Sequence, residues 1–373
     1  MALVLTEEQQ MLKTSASDFL KENSPVESLR KLRDTDDSLG YDAQLWQEMI
    51  EMGWTGLNID EAYGGLGFGY VGLGQILEET GRTLTASPLI SNICFGAAVI
   101  NLAGTEAQKG ILLSEISMGN LITSVAFEES SKHRPMDVAT TAVSGSDGYI
   151  INGDKKFVLD GHIANQLIVS AKTEKGIQLF MVPTDIQGVH IKRRKMMDSR
   201  NAADVTFENV QIPSSARLGA DEDASSHLES ALDIARICLS AEMLGSMQEA
   251  FERTVAYLKE RQQFGVPIGV FQGLQHRAAH MFCEIELCKG VVLAALQAID
   301  AGHPKLAILA STAKAKCGEV LQLVTNEGIQ MYGGIGMTDD EEIGFFMKRA
   351  RVAQQTFGDF NYHYERYARL KGF

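Results

Sequence analysis

The feature that most constrains this chain is a change of period along its length. The last 155 or so residues carry long helix-type repeats near Ser225 to Arg261, Val270 to Ala301, Lys305 to Met331 and Glu341 to Gln355, separated only by short breaks at Gly265, Pro267, Pro304 and Gly333. Apolar residues that recur with a helical period over such lengths, joined by short connections, need one another to bury their faces, and an antiparallel bundle is the arrangement that provides this. The middle of the chain has a different texture. Short β-rich runs occur at Ala139 to Val143, Tyr149 to Ile151, Lys156 to Leu159, Leu167 to Ser170, Leu179 to Val182 and Val205 to Phe207, punctuated by Gly145, Asp147, Gly148, Gly153 and Asp154 as hairpin turns require. The first third is mostly helical: Thr6 with Gln9 fits a capping box opening a helix from Glu7 to Glu22, and further helical patterns cover Asp42 to Met52, Gly72 to Thr80 and Ser91 to Leu102. The expected fold is α+β, with an N-terminal helical domain over residues 1–120, a middle antiparallel β domain over 121–218 and a C-terminal four-helix bundle over 219–373.

Length agrees with this division, since 373 residues hold two to three domains of ordinary size. The formal charge of −14 repels phosphate backbones and anionic lipid, so nucleic acid is a poor candidate partner. Lys192 to Lys195 is the one dense basic run, readable as a local funnel for an anionic cofactor or, more plainly, as a solvated turn. The five cysteines lack C-x-x-C spacing, which argues against a zinc site and for a reducing compartment; Cys283 and Cys288 read as packing residues of one helix. The longest apolar stretch, Pro88 to Ala103, is broken by Ser91, Asn92 and Asn101 and falls short of a bilayer span. With no basic and apolar leader, a cytoplasmic protein is the expectation.

Three places could carry chemistry. On the helix from Ser225, the stripe Leu228, Leu232, Ala235 and Leu239 continues to Glu242, a carboxylate where a core residue belongs. Burial raises a carboxyl pKa, which suits a base for a weakly acidic C–H; the competing reading is an ion pair with Arg277 or His276. Arg261, Gln263, Phe264 and Gly265 join a guanidinium to an aromatic ring at a helix end, able to hold pyrophosphate and stack a ring, or simply to cap the helix. Gln330, Gly333, Gly334 and Gly336 form a second glycine corner where backbone could approach a ligand.

Together these motifs resemble the acyl-CoA dehydrogenase family over nearly the whole chain. The resemblance is carried by Arg261 to Gln272 (R-Q-Q-F-G-V-P-I-G-V-F-Q), by Gln330 to Gly336, by Lys348 to Arg351, by Tyr149 to Lys155, by Phe207 to Pro213 and by the pair Asp233 and Arg236. It implies FAD as cofactor, an acyl-CoA substrate oxidised to the enoyl-CoA, electron-transfer flavoprotein as acceptor, and a homotetramer or an α2β2 heterotetramer with a paralogue. Arg261, Gln263, Phe264, Gln272, Gln330, Gly333 and Gly334 match cofactor-binding positions, some reaching the FAD of another subunit, and Asp233 and Arg236 match positions near the acyl-CoA. The sequence departs from the family at its base: Phe357 stands where the usual glutamate would be, and Ala235 at the alternative position, leaving Glu242 and Asp359 as candidate substitutes. It departs again at the flavin, where Phe127-Glu128-Glu129-Ser130-Ser131-Lys132 and Phe157-Val158-Leu159 replace hydroxyl-bearing segments. The Phe-Gly-Asp ending is similar to the branch acting on bulky or ring-bearing acyl groups such as steroid side chains. Three readings follow: a self-sufficient dehydrogenase using Glu242 or Asp359, a catalytically degenerate partner subunit, and a related oxidase or hydroxylase.

Overall fold

The computed structural model describes residues 3–220 and 222–373. Eleven α-helices and nine strands are found among the described residues, and they divide into two compact units. One unit contains residues up to Thr35, Tyr70–Thr85 and Arg236–Phe373; the other contains Asp36–Gly69 and Ala86–Ala235.

In the first unit, α1 (Glu7–Asn23) opens on the expected capping box, Thr6 accepting from Gln9 N while the Gln9 amide returns to Thr6 N. Next come α2 (Val26–Asp34) and α4 (Tyr70–Thr83), which packs on α1 and is buried along nearly its whole length. The remainder is the bundle: α7 (Ser225–Glu260), whose residues from Arg236 onward belong here, α8 (Gln272–Asp300), α9 (Leu306–Tyr332), α10 (Ile343–Gln355) and α11 (Phe360–Lys371). Helix α9 is the hub, with α8, α10 and α11 all against it. Helices α4 and α7 cross almost backbone to backbone. A Cβ on Gly245 would lie 1.7 Å from Glu78 O, and one on Gly81 would lie 2.0 Å from Glu242 O. Only glycine permits that approach.

In the second unit, α3 (Ala43–Glu51), a buried π-helical segment Leu89–Gly96, α5 (Ala97–Ala103) and α6 (Glu106–Ser117) accompany a seven-stranded sheet. The expected helix from Ser91 is therefore split between π and α windings. The strands are β1 (Thr123–Ala126), β2 (Thr141–Ser144), β3 (Gly148–Leu159), β4 (Gln166–Thr173), β5 (Gly176–Pro183), β6 (Val189–Lys195) and β7 (Asn201–Pro213), in the order β1-β4-β2-β3-β7-β6 with β5 on β4. The sheet is mixed rather than purely antiparallel, because β1 runs parallel to β4 and β2 meets β4 in parallel at Thr141 and Lys172. Period-2 patterning marks a strand but not its partner's direction, so the sequence could not reveal this. Two expected runs, Tyr149 to Ile151 and Lys156 to Leu159, are one strand carrying two bulges; at the first, Gly153 has φ +146° and a Cβ there would meet Thr140 at 2.5 Å. Lys192 to Lys195 lie on the edge strand β6 rather than in a turn. Charged side chains on an edge discourage pairing with another sheet.

A candidate active site and an exposed cofactor rim

Helix α7 delivers Asp233, Arg236 and Glu242. The stripe Leu228, Leu232, Ala235 and Leu239 is fully buried, as its spacing requires, and Glu242 is buried with it. Its partner is neither Arg277 nor His276: Arg277 pairs with Glu327, and Glu242 Oε1 sits 3.5 Å from Nη1 of Arg349, itself buried on α10. The partner comes from a helix a hundred residues away, which spacing along α7 could not identify.

Asp233 is buried, and Arg236 is wholly enclosed. Arg236 Nε donates to Phe357 O at 3.2 Å, its Nη2 lies 3.4 Å from the Tyr362 hydroxyl, and its guanidinium stands 5.6 Å from the Tyr362 ring centre. His363 Nε2 donates to the same carbonyl at 3.1 Å. Lys314 Nζ, on α9, donates to Gln354 O at 3.0 Å and to Gly358 O at 2.9 Å. The turn between α10 and α11 is thus fixed by three basic side chains acting on its carbonyls. Phe357 has φ +60°, an uncommon conformation for a bulky residue, and its side chain is buried. Asp359 caps α11, its Oδ1 accepting from Tyr362 N at 2.8 Å. The structure brings Arg236, Phe357 and Asp359 to one turn and holds Glu242 two helical turns along α7, against Arg349. Sequence reasoning missed Lys314 and His363, although Lys314 stands on the apolar stripe of α9 among Ala310, Ala313 and Cys317 and shows the same signal that singled out Glu242.

Cofactor candidates occupy the other end of the bundle. After Arg261, β8 (Gln262–Gln263) and β9 (Val266–Pro267) form a minimal hairpin whose tip is Phe264, φ +55°, and Gly265, φ +79°. Phe264 is 90% exposed and meets Phe271 edge to face at 6.0 Å. Gln272 opens α8, exposed, beside it. Gln330 lies in the last turn of α9, and Gly333 and Gly334 have nothing within 4 Å of where a Cβ would sit, so their backbone is open to a ligand. A pair of tyrosines brings the two corners together: Tyr257 and Tyr332 stack at 4.2 Å, Tyr257 Oη donates to Tyr332 O and Tyr332 Oη to Arg253 O. Burial pushes the Tyr332 hydroxyl up to about 12. A cavity of about 450 Å³ opens alongside, lined by Tyr332, Arg30, Arg253 and four carboxylates, which makes it a poor seat for phosphate. A solvent-facing guanidinium, an aromatic tip and open glycine backbone fit the pyrophosphate and ring of a dinucleotide approaching from outside.

In the sheet unit, the polar side chains of the segments expected near a flavin ring are engaged with one another. Glu128 binds His133 Nδ1 and accepts from Arg134 N. Glu129 accepts from Ala139 N, from Thr140 N and from Lys155 Nζ at 2.7 Å, and Lys155 also donates to Ser170 Oγ at 2.9 Å. Burial drives the Lys155 ammonium down to about 8, with Glu129 opposing it, while Lys155 and two backbone N–H groups hold the Glu129 carboxyl below its ordinary range in spite of burial. Glu128 is therefore engaged within its own loop and Glu129 with β3 and the residues leading into β2. Phe157 has φ +52° and is covered by the Arg194 guanidinium at 4.7 Å. Nor is the basic run a funnel, because Arg193 binds Asp37 O and Asn201, Arg194 binds Asp204, and Lys195 binds Asp36. Arg261, Phe264, Gly333 and Gly334 present groups suited to a dinucleotide, whereas Glu128, Glu129 and the basic run are engaged inside the sheet unit.

Among the described residues no helix is long and apolar enough to cross a membrane, and no group of acidic, histidine and cysteine side chains could hold a metal ion. Among the described residues no cysteine is in a disulfide, and Cys283, expected to pack, is exposed while Cys288 is buried.

Comparison with known proteins matches the family models for the N-terminal, middle and C-terminal domains of acyl-CoA dehydrogenases to residues 6–120, 125–210 and 226–370. The chain is 30% identical over 362 residues to the probable acyl-CoA dehydrogenase YngJ of Bacillus subtilis, covering 94% of each. Among solved structures it is similar to butyryl-CoA dehydrogenase of Megasphaera elsdenii, with 27% identity, TM-score 0.90 and full coverage of both chains. It is similar also to the Tcur3481-Tcur3483 steroid ACAD, with 30% identity, TM-score 0.88 and 98% of each chain covered. The chain belongs to the acyl-CoA dehydrogenases, FAD-dependent oxidoreductases acting on acyl-CoA thioesters.

Proposed function

We propose that this chain serves α,β-dehydrogenation of a bulky or ring-bearing acyl-CoA as one half of a heteromeric enzyme, completing the FAD site of a paralogous chain that supplies the catalytic base. The observation that carries the reading is the turn at Phe357: the basic frame made by Arg236, Lys314 and His363 is in place, but the side chain it displays is an apolar ring. A phenyl group cannot accept the α proton of a thioester. The substitutes are engaged elsewhere, Glu242 with Arg349 and Asp359 with the first turn of α11. Similarity to a steroid ACAD named for two chains supports both the paralogue and the substrate class. Reducing equivalents then pass from the FAD of the assembly to an electron-transfer flavoprotein, and an α2β2 arrangement is the assembly proposed.

Expressing the chain alone and together with a paralogue, and assaying short, branched and steroid CoA esters with an artificial electron acceptor, tests this. Activity is expected only from the co-purified pair, highest with ring-bearing esters, and insensitive to Glu242→Gln and Asp359→Asn once the complex is assembled. Turnover by the chain alone that disappears in one of those variants would overturn the reading.

A further inference from the structure

The cluster around the turn between α10 and α11 contains one group, Lys314, whose protonation state the proposed function does not call on. Lys314 is almost completely buried, yet the partners of its Nζ are two main-chain carbonyls, those of Gln354 and Gly358 at 3.0 and 2.9 Å. No carboxylate lies within ion-pair distance of it among the described residues. What faces it is mostly positive or neutral. Arg236 comes from α7; Cys317, one turn along α9, is a thiol pushed up by its hydrogen bond with Cys288 of α8 and by burial; α11 contributes His363, Tyr362 and Arg366, the last donating to Ser311 and Ala307 O. Asp359 is the acid that acts on it, and its Oδ1 is taken by Tyr362 N.

Two acceptors match the two N–H groups of a neutral amine. A third proton would bring an N–H without an acceptor, together with a charge in a dry site already holding Arg236. We propose that Lys314 works as an uncharged clamp on the Gln354–Asp359 turn, and that its protonation is a built-in switch that loosens this turn and the start of α11. Burial first and the Arg236 charge second drive its pKa down to about 7, with Cys317 and Asp359 opposing them, so the switch stands in the physiological range. The inference holds whichever chain supplies the base, because it concerns the turn and not the proton taken from substrate.

Amide hydrogen exchange by mass spectrometry on the full-length chain in its purified assembly, between pH 6 and 8.5 and corrected for intrinsic exchange, reads the clamp directly. Protection of the peptide covering residues 354–363 is expected to fall by roughly tenfold per pH unit as pH drops from 8.5 toward 7 and to level off below it, while the rest of α9 and α10 stays level. Lys314→Met should abolish the pH step, leaving the turn open at every pH, and Lys314→Gln does the same if the methionine variant does not fold. His363→Gln should retain it. No pH step in the unmodified chain would overturn the proposal, as would a step that survives in both Lys314 variants or vanishes in His363→Gln.

Discussion

At the scale of single residues, the chain separates two kinds of buried charge. Glu242 and Arg349 are a pair, and removing one partner leaves the other buried and uncompensated, a loss of about 3–5 kcal/mol for such pairs. Glu242→Leu should lower the free energy of urea unfolding by about that much, and replacing both residues with apolar ones should recover most of it. Lys155 and Lys314 are amines whose folded pKa lies below the unfolded value of 10.5, at about 8 and about 7. The folded chain therefore binds fewer protons than the unfolded one between these values. Their contribution to stability is present above 10.5 and is lost as pH falls through 8 and 7. Denaturation midpoints measured from pH 7 to 9.5 should rise with pH, and the rise should be shallower in Lys314→Met. At this scale the sequence was partly legible: it singled out Glu242 by its place in an apolar stripe, but not Arg349, because a partner on α10 is set by how two distant helices pack. The same stripe logic applied to α9 would have found Lys314.

At the scale of elements, the long helical periods and the capping box at Thr6 could be read from local chemistry, since both depend on residues within one or two turns. Strand direction could not. Whether β4 lies parallel or antiparallel to its neighbours depends on connections and on what covers the sheet, and the basic run gave no sign that it forms the edge strand β6 rather than a turn. The crossing of α4 and α7 offers a sharp test of packing. A methyl group on Gly245 meets the Glu78 carbonyl, a backbone atom that cannot rotate away, so Gly245→Ala should cost at least the ~3 kcal/mol at the upper end of overpacking effects. Calorimetry would show a large fall in Tm. Gly344→Ala, at a helical glycine with no neighbour within 4 Å, should raise stability slightly.

At the scale of the whole molecule, a chain of net charge −14 must attract an anionic dinucleotide locally, and the exposed rim of Arg261, Phe264, Gln272, Gln330, Gly333 and Gly334 is the place we propose for it. Arg261→Ala should weaken FAD retention by the assembled complex about 10-fold or more, in line with the ~1.5–3 kcal/mol of a hydrogen bond to a charged group, and raised salt should weaken it further. The two segments of the proposed rim were each marked in the sequence by a short local motif, while their meeting depends on the stacking of Tyr257 on Tyr332. The contact of Glu128 with His133 and the use of Arg193 to Lys195 within the sheet unit were not marked, because they depend on how the loop folds back, on the register of β6 against β7 and, for Lys195, on Asp36 far away in the chain. The proposed division of labour between two chains is tested most directly by counting flavin. Purified with a paralogue, the complex should show one FAD per two chains by absorbance against total protein, and this chain purified alone should be colourless. One FAD per chain in a yellow homo-oligomer would contradict the account.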